Sequence, residues 1–204
     1  MVPPRGGEGQ AARCPPRPGT GAAGELPLRP PTLRTDRLLL RPFSVADAPA
    51  LADVLGDPST MAHYPRPLTD DEVMVWITRS LERYERDGFG LLAMVMLDSG
   101  HLIGDCGPTL QEVEGVHETE LGWHVRRDLW GRGLATEAAS ATRDWAFEQL
   151  RRPRLVALVR PDNVASARVA QKVGMRLERE VAFAGLPHQL FAMPAPWADA
   201  ADHA

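Results

Sequence analysis

The sequence predicts a mixed α/β (α+β) fold, in which one mixed β-sheet carries helices on both of its faces. Apolar side chains at helical spacing alternate along the chain with short apolar runs that are typical of strands. Two of these runs are separated by Asp98-Ser99-Gly100, a turn typical of a β-hairpin. The run 155–159 is apolar throughout, as in a strand that is covered on both faces. The chain has 204 residues, of which 44% are hydrophobic, and this is enough for one folded domain with extensions.

The two ends of the chain differ in composition from the rest. Residues 1–31 contain 8 prolines and 6 glycines. This segment has too few apolar side chains for their burial to offset the entropy lost on ordering. We expect this segment to be a disordered extension, or a start that was assigned too early. The folded domain is predicted at 32–198, and residues 199–204 are expected to form a flexible tail.

Capping and turn residues bound the elements of the first half. Ser44 opens a helix with apolar residues at helical spacing, and Gly56 ends it. Thr69 and Glu72 form a capping box at the start of a second helix, which ends at Gly88. The predicted elements are a strand at 37–42, helices at 44–56 and 69–88, and the hairpin strands at 89–97 and 101–110.

A long amphipathic helix dominates the second half. Apolar residues recur at spacings of three and four between Gly133 and Leu150. Asn163 caps a further helix, and Gly174 occupies the position after its end. The predicted elements are a strand at 118–125, a helix at 133–150, a central strand at 155–159, a helix at 163–173, and strands at 175–183 and 189–193.

Charge and cysteine content exclude several classes of protein. A net charge of −4 provides no basic field for a nucleic-acid backbone. The longest apolar run, Leu91–Leu97, is too short to span a membrane, and no apolar segment of an export signal follows the N-terminal arginines. Cys14 and Cys106 are the only cysteines, which argues against a disulfide framework and a thiolate zinc site. These exclusions leave the enzymes of small-molecule metabolism open, and a reducing cytoplasm is the simplest compartment.

A glycine turn before the long helix is a candidate anion site. Gly131 and Gly133 lack a Cβ, so backbone N–H groups can approach a phosphate, and the helix adds its own unpaired donors. Taken alone, the same turn could serve only to reverse the chain. It is not a Walker A loop, because Leu134 follows Gly133, and Thr136 stands where a dinucleotide-binding loop has its third glycine.

Four stretches of the chain resemble one family. The segment 129–138 resembles the acetyl-CoA pyrophosphate loop of the GNAT superfamily of N-acetyltransferases, with Trp130 where that family usually has Gln or Arg. Trp130 is instead typical of the branch that contains the ribosomal-protein alanine and serine N-acetyltransferases, the RimJ/RimL-like group. The other stretches that resemble this branch are 34–41, 120–123, and 163–168 with 172–175, and the resemblance runs from Leu33 to Trp197.

The resemblance implies where acetyl-CoA binds. In the family, the fourth and fifth strands splay apart, and the pantetheine arm adds to the free backbone edge of the fourth strand. That strand is predicted here at 118–125. Asn163, the only asparagine of the chain, falls where the family has a cofactor contact, although it could also be a plain N-cap. The implied acetyl-CoA contacts are Trp123, His124 and Val125 on the edge, Gly131, Arg132, Gly133, Leu134, Ala135 and Thr136 at the pyrophosphate, and Asn163 with Ser166.

The resemblance also implies the residues that handle protons. Glu120 is predicted to take the proton of the attacking ammonium; the alternative is that it faces solvent or pairs with an arginine. Many family members protonate the departing thiolate with a tyrosine at the position that is Ala170 here. Ser166 is predicted to do so instead, with water as the alternative. His63 and Tyr64 are expected to line the acceptor pocket.

Together these expectations describe an acetyl-CoA-dependent N-acetyltransferase that passes the acetyl group directly to a primary amine. The acceptor is either a protein N-terminus or a small-molecule amine, and no metal is expected. Cys106 lies in a predicted strand with no evident histidine base, so no covalent acyl-enzyme is expected. The alternative function is a non-catalytic acyl-CoA-binding module. We expect a monomer or a homodimer without nucleic-acid or membrane partners.

Overall fold

A computed structural model describes residues 29–198. The predictions for residues 1–28, Cys14 among them, and for the tail 199–204 lie outside the described residues. The strands are β1 (Leu33–Arg34), β2 (Leu38–Arg41), β3 (Leu92–Met96), β4 (Leu102–Val113), β5 (Val116–Val125), β6 (Arg154–Val159), β7 (Arg176–Phe183) and β8 (Leu186–Pro194). The helices are α1 (Ala48–Leu55), α2 (Asp70–Asp87), α3 (Leu134–Glu148) and α4 (Val164–Lys172).

The eight strands form one mixed sheet in the order β1-β2-β3-β4-β5-β6-β8-β7. Neighbouring strands are antiparallel except for β5 and β6, which run parallel. The parallel pair shares a single register position, Glu120 opposite Val156, whereas β4 and β5 pair along ten positions. The predicted splay of the strands at 118–125 and 155–159 is therefore confirmed.

Helices cover both faces of the sheet, as predicted. On one face, α1 and α2 bury Leu51 and Ile77 against β3 and β4. On the other, α3 packs on β4 and β5, and α4 packs on β6 and β8. The β4–β5 hairpin also folds over β6 to β8, where Val113 contributes to a small apolar cluster with Val156 and Leu190. Burial of these side chains is the main favourable term in folding.

The caps read from the sequence are present. Thr69 and Glu72 form the capping box of α2, and Gly88 ends that helix with a φ of 79°. Asn163 caps α4, and Gly174 follows it with a φ of 97°. The structure adds the two-residue strand β1 and a short 3-10 turn at Val45–Asp47 before α1. Within residues 29–198, no helix is both long and apolar enough to cross a membrane.

Two cross-strand glycines, Gly107 on β4 and Gly122 on β5, offer a test of strand packing. A Cβ on Gly107 would lie 2.3 Å from the carbonyl oxygen of Gly90, whereas a Cβ on Gly122 would meet only Leu91 Cδ2, at 3.8 Å. We expect Gly107→Ala to lower the free energy of unfolding by roughly 1–3 kcal/mol, because backbone must move. Gly122→Ala is the matched control and should change it by less than about 1 kcal/mol. Urea denaturation measures both, and equal effects would contradict the packing described.

Candidate active site

Strand β5 presents different side chains to the two faces of the sheet. Alternation along the strand sends Leu121, Trp123 and Val125 toward the core under α3. Glu120 and His124 share the opposite face, with Gly122 between them. Neither Gly122 nor its cross-strand partner Gly107 has a side chain, and Leu91 packs over them: a Cβ on Gly122 would lie 3.8 Å from Leu91 Cδ2. The two titratable groups thus lie on one face of the sheet, two residues to either side of Gly122.

Glu120 is half-buried and hydrogen-bonded. Gln111 Nε2 donates to its Oε2 at 2.8 Å, and the Thr109 hydroxyl lies 3.5 Å from the same oxygen. Burial raises the pKa of the Glu120 carboxyl, although the hydrogen bond from Gln111 and the electrostatic interaction with His124 act in the opposite direction. A carboxylate with a raised pKa is better suited to accept a proton near neutral pH. The alternative that Glu120 pairs with an arginine is not observed among the ion pairs of residues 29–198.

His124 lies in a chain of hydrogen bonds. Its Nδ1 is 2.7 Å from Asp105 Oδ1, and its Nε2 is 2.7 Å from the hydroxyl oxygen of Tyr64. The other oxygen of Asp105 accepts the indole N–H of Trp76 at 2.9 Å. Asp105 is fully buried on β4, directly opposite His124. The predicted contact of His124 with acetyl-CoA remains a prediction, and the His124 side chain points to Tyr64.

The free edge of β5 faces the gap to β6. The indole N–H of Trp130 donates to the carbonyl oxygen of Val125 at 2.6 Å, so this carbonyl points away from β4. Backbone groups of successive residues in an antiparallel pair point to opposite sides. The N–H and C=O of Trp123 therefore also point into the gap, whereas those of His124 point toward β4. Within the predicted edge, Trp123 and the N–H of Val125 are available to a ligand.

The glycine turn leads directly into α3. Gly131 and Gly133 have φ values of 75° and 80°, in the left-handed region that favours glycine. A Cβ on Gly131 would meet no atom within 4 Å, so the turn is open on that side. The first internal bond of the helix runs from Glu137 N to Gly133 O, which leaves the N–H groups of residues 134–136 unpaired within it. This geometry suits an anion.

An ion-paired cluster holds the glycine turn to the start of the domain. The carboxylate of Glu137 accepts the Thr35 hydroxyl at 2.6 Å, the Arg37 backbone N–H at 2.9 Å and the Arg37 Nε–H at 2.7 Å. Arg37 Nη1 donates in turn to the carbonyl oxygen of Arg132, at 2.9 Å. Burial raises the pKa of Glu137, but the bonds from Thr35 and Arg37 outweigh it, and the net shift is downward. Sequence reasoning placed 34–41 in the resemblance without this role.

The start of α4 carries the two remaining predicted contacts. Asn163 Oδ1 accepts the backbone N–H of Ser166 at 3.0 Å, so Asn163 is an N-cap. Its amide nitrogen is not used in that bond. The Ser166 hydroxyl has no hydrogen-bond partner among the residues that the structure describes. Both side chains follow the end of β6, on the far side of the gap from β5.

A cavity of about 230 Å³ lies beside this site. It is lined by His63 and Tyr64 from the loop after α1, by Arg160 and Asp162 after β6, and by Leu186 at the β7–β8 turn. His63 Nδ1 is 3.4 Å from Asp162 Oδ1. The structure thus brings His63 and Tyr64 together with the β7–β8 turn.

Two other features concern alternative chemistry. Cys106 is completely buried under α3, 3.7 Å from the Thr142 hydroxyl, and burial raises the pKa of its thiol to about 12. Such a thiol is a poor nucleophile at neutral pH. Within the described residues, no group of three or more His, Cys, Asp or Glu side chains could hold a metal ion.

Asp105 and Trp76 are the site residues that sequence reasoning missed. Trp76 is only partly buried, and its indole N–H donates to Asp105. The available signal was an aspartate inside an otherwise apolar strand, since buried carboxylates require partners.

Comparison with known proteins points to one family. Residues 37–176 match the family model described as an acetyltransferase (GNAT) domain. The solved structure of an acetyltransferase from Agrobacterium tumefaciens is 34% identical, has a TM-score of 0.71, and covers 84% of this chain and 99% of its own. The uncharacterized N-acetyltransferase YnaD of Bacillus subtilis is 28% identical over 67% of this chain and 77% of its own. The ribosomal-protein-S5-alanine acetyltransferase of Vibrio fischeri shares the fold, at 18% identity, a TM-score of 0.64, and 81% and 97% coverage.

Proposed function

The chain belongs to the GNAT acetyltransferase family and is an N-acetyltransferase, and from this premise we propose which groups bind its substrates and move its protons. Acetyl-CoA lies across the free edge of β5, and a primary amine enters through the cavity beside Tyr64. The observation that carries this proposal is the parting of β5 from β6 after Glu120, next to an open glycine turn.

The described residues fit acetyl-CoA in two respects. The backbone groups of Trp123 and the N–H of Val125 offer a strand edge to the amides of the pantetheine arm. The turn at Gly131 and Gly133, with the unpaired N–H groups of residues 134–136, offers donors to the pyrophosphate. Asn163 and Ser166 on the other side of the gap would complete the contacts. The Arg37–Glu137 pair would keep the turn in place when the anion binds.

Glu120 serves as the proton acceptor in this proposal. Acetyl-CoA supplies a thioester carbonyl, which an amine attacks only in its neutral form. Glu120 takes the proton of the incoming ammonium, directly or through one water, and its raised pKa suits this role. The Cys106 side chain is completely buried and has no access to a thioester, which supports direct transfer. Ser166 donates the proton that the departing thiolate needs.

The acceptor is a primary amine, of a protein N-terminus or of a small molecule. The cavity beside Tyr64 combines an acidic and a basic side chain, Asp162 and Arg160, and it is open to the surface. A turnover screen against peptides and small amines, with mass detection of the product, tests the proposal and separates the two acceptor classes. Coenzyme A release without any acetylated amine would contradict it. The buried free thiol of Cys106 suits a reducing compartment, and we propose the cytoplasm.

Gly133→Val tests the cofactor turn. A valine Cβ would crowd the loop donors, so we expect the dissociation constant of acetyl-CoA, measured by calorimetry, to rise at least tenfold. The left-handed backbone also makes valine strained there, by about 1–3 kcal/mol. Gly100→Val is the matched control, because Gly100 has a φ of 70° and open surroundings in the β3–β4 turn. The Gly100→Val variant should lose a similar amount of stability and keep the wild-type affinity for acetyl-CoA. Unchanged binding by Gly133→Val would refute the assignment of the turn.

Glu120→Gln tests the proton acceptor. We expect turnover to fall by about 10²- to 10⁴-fold with nearly unchanged affinity for acetyl-CoA. The loss should shrink at high pH, where more acceptor amine is already neutral. Glu118→Gln is the matched control, since Glu118 lies on the same strand but pairs with Arg154, 3.2 Å away. A Glu120→Gln variant with the wild-type rate at neutral pH would remove Glu120 from the mechanism.

Ser166→Ala tests the acid. We expect turnover to fall tenfold or more, since acid catalysis contributes about 10²-fold at the low end, while the affinity for acetyl-CoA stays unchanged. Ser166→Thr retains a hydroxyl and should keep a substantial part of the rate. Steady-state kinetics with calorimetry separate the two effects. If Ser166→Ala stays within twofold of the parent, water protonates the thiolate.

A further inference from the structure

A second proton-accepting group lies beside Glu120. Tyr64, His124 and Asp105 form an uninterrupted line of hydrogen bonds, each 2.7 Å long, from the acceptor cavity into the sheet. Asp105 is fully buried, and only a tenth of the His124 side chain is exposed. Tyr64, in contrast, is 44% exposed. The line therefore begins at the surface where an acceptor enters and ends on a buried carboxylate.

The partners of Asp105 fix the direction of these bonds. An ionised carboxylate only accepts hydrogen bonds, so neutral His124 carries its proton on Nδ1 and donates it to Asp105. Its Nε2 is then an acceptor, and the Tyr64 O–H donates to it. The second carboxylate oxygen is occupied by the Trp76 N–H. In this arrangement, the free lone pairs of the Tyr64 oxygen remain available to an N–H group in the cavity.

The reaction requires two proton acceptors on the acceptor side. An ammonium loses one proton before its nitrogen attacks and a second after the C–N bond has formed and while the C–S bond breaks. The thiolate takes up one proton, so one proton per turnover is released to solvent. Under the proposed function, on which this inference rests, Glu120 accepts the first proton. That carboxyl is then protonated when the second proton must leave.

We propose that Tyr64 is a catalytic residue that accepts the second proton and passes its own hydroxyl proton to His124. The resulting imidazolium is paired with the Asp105 carboxylate, and His124 and Asp105 act as positioning residues that hold this charge. After the product leaves, the proton returns through the Tyr64 hydroxyl to solvent. Because His124 and Glu120 share one face of β5, both acceptors lie on the same side of the sheet.

The charges around His124 support this role. Burial alone would lower the pKa of His124, but the charge and hydrogen bond of Asp105 on β4 and the charge of Glu120 on β5 raise it above its ordinary value. Helix α2 contributes Trp76, and its Arg83 faces Glu120. Burial and the two carboxylates raise the pKa of Tyr64, so its phenol stays neutral. Activity should therefore fall as the pH drops through the raised pKa of His124, because protonated Nε2 no longer accepts a proton.

Tyr64→Phe tests the relay, since it removes one hydroxyl and keeps the ring. We expect kcat to fall about tenfold or more with an unchanged KM for acetyl-CoA. In the wild type, two groups must be deprotonated, so the acid limb of log kcat against pH should approach a slope of about 2. In Tyr64→Phe, the slope should fall to about 1. A variant within twofold of the wild type, with an unchanged profile, would overturn the relay.

Asp105→Asn provides a second test, with a readout that a purely structural role would not change. Loss of the carboxylate charge should lower the pKa of His124, and the acid limb of the remaining activity should move to lower pH. Nitrogen-15 NMR of labelled wild-type protein should show neutral His124 protonated on Nδ1; protonation on Nε2 would overturn the relay without reference to activity. A wild type that binds acetyl-CoA but acetylates no amine would contradict the proposed function, whereas an active wild type matched by Tyr64→Phe contradicts the relay alone.

Discussion

The single pairing between Glu120 on β5 and Val156 on β6 is the constraint on which the site depends. On the N-terminal side of this pair, ion pairs hold the two halves of the sheet together. Arg154 on β6 contacts Glu118 on β5 and Glu178 on β7. Glu114 at the β4–β5 turn also contacts Arg179 on β7. On the C-terminal side of this pair, β5 and β6 share no further register position, and the two strands diverge. Because β5 and β6 are joined only at one end, the backbone edge of β5 beyond Glu120 stays unpaired inside an otherwise continuous sheet.

The opening places two kinds of chemistry on two sides of one strand. The backbone edge of β5 faces the gap to β6, while the side chains of Glu120 and His124 lie together on one face of the strand. The opposite face, with Leu121 and Trp123, is anchored on α3. Since α3 begins at the glycine turn, the same packing fixes the strand edge and the anion donors relative to each other. The Arg37–Glu137 pair adds the first strands to this unit.

Local signals in the sequence were sufficient to predict most elements. The Thr69–Glu72 capping box and the glycines after α2 and α4 set helix ends through interactions within a few residues, which a sequence shows directly. The splay followed from the resemblance and not from any periodicity, because it depends on contacts between distant segments. The chain Tyr64–His124–Asp105 was not foreseen for the same reason: its members are 60 and 19 residues apart, and only the register of β4 against β5 brings two of them together. The ion pair between Arg37 and Glu137 joins residues 100 positions apart, and in the sequence the segment 34–41 stands out only as a stretch that resembles the family.

A crystal structure of the protein with bound coenzyme A is the most direct test of the account. We predict that the pyrophosphate accepts hydrogen bonds from the backbone N–H groups of residues 131–136. The pantetheine amides should bond to the backbone of Trp123 and to the Val125 N–H, with the sulfur in the gap beside Glu120. A coenzyme bound elsewhere, or a complex in which β5 and β6 pair beyond Glu120 and Val156 and close the gap, would contradict the account.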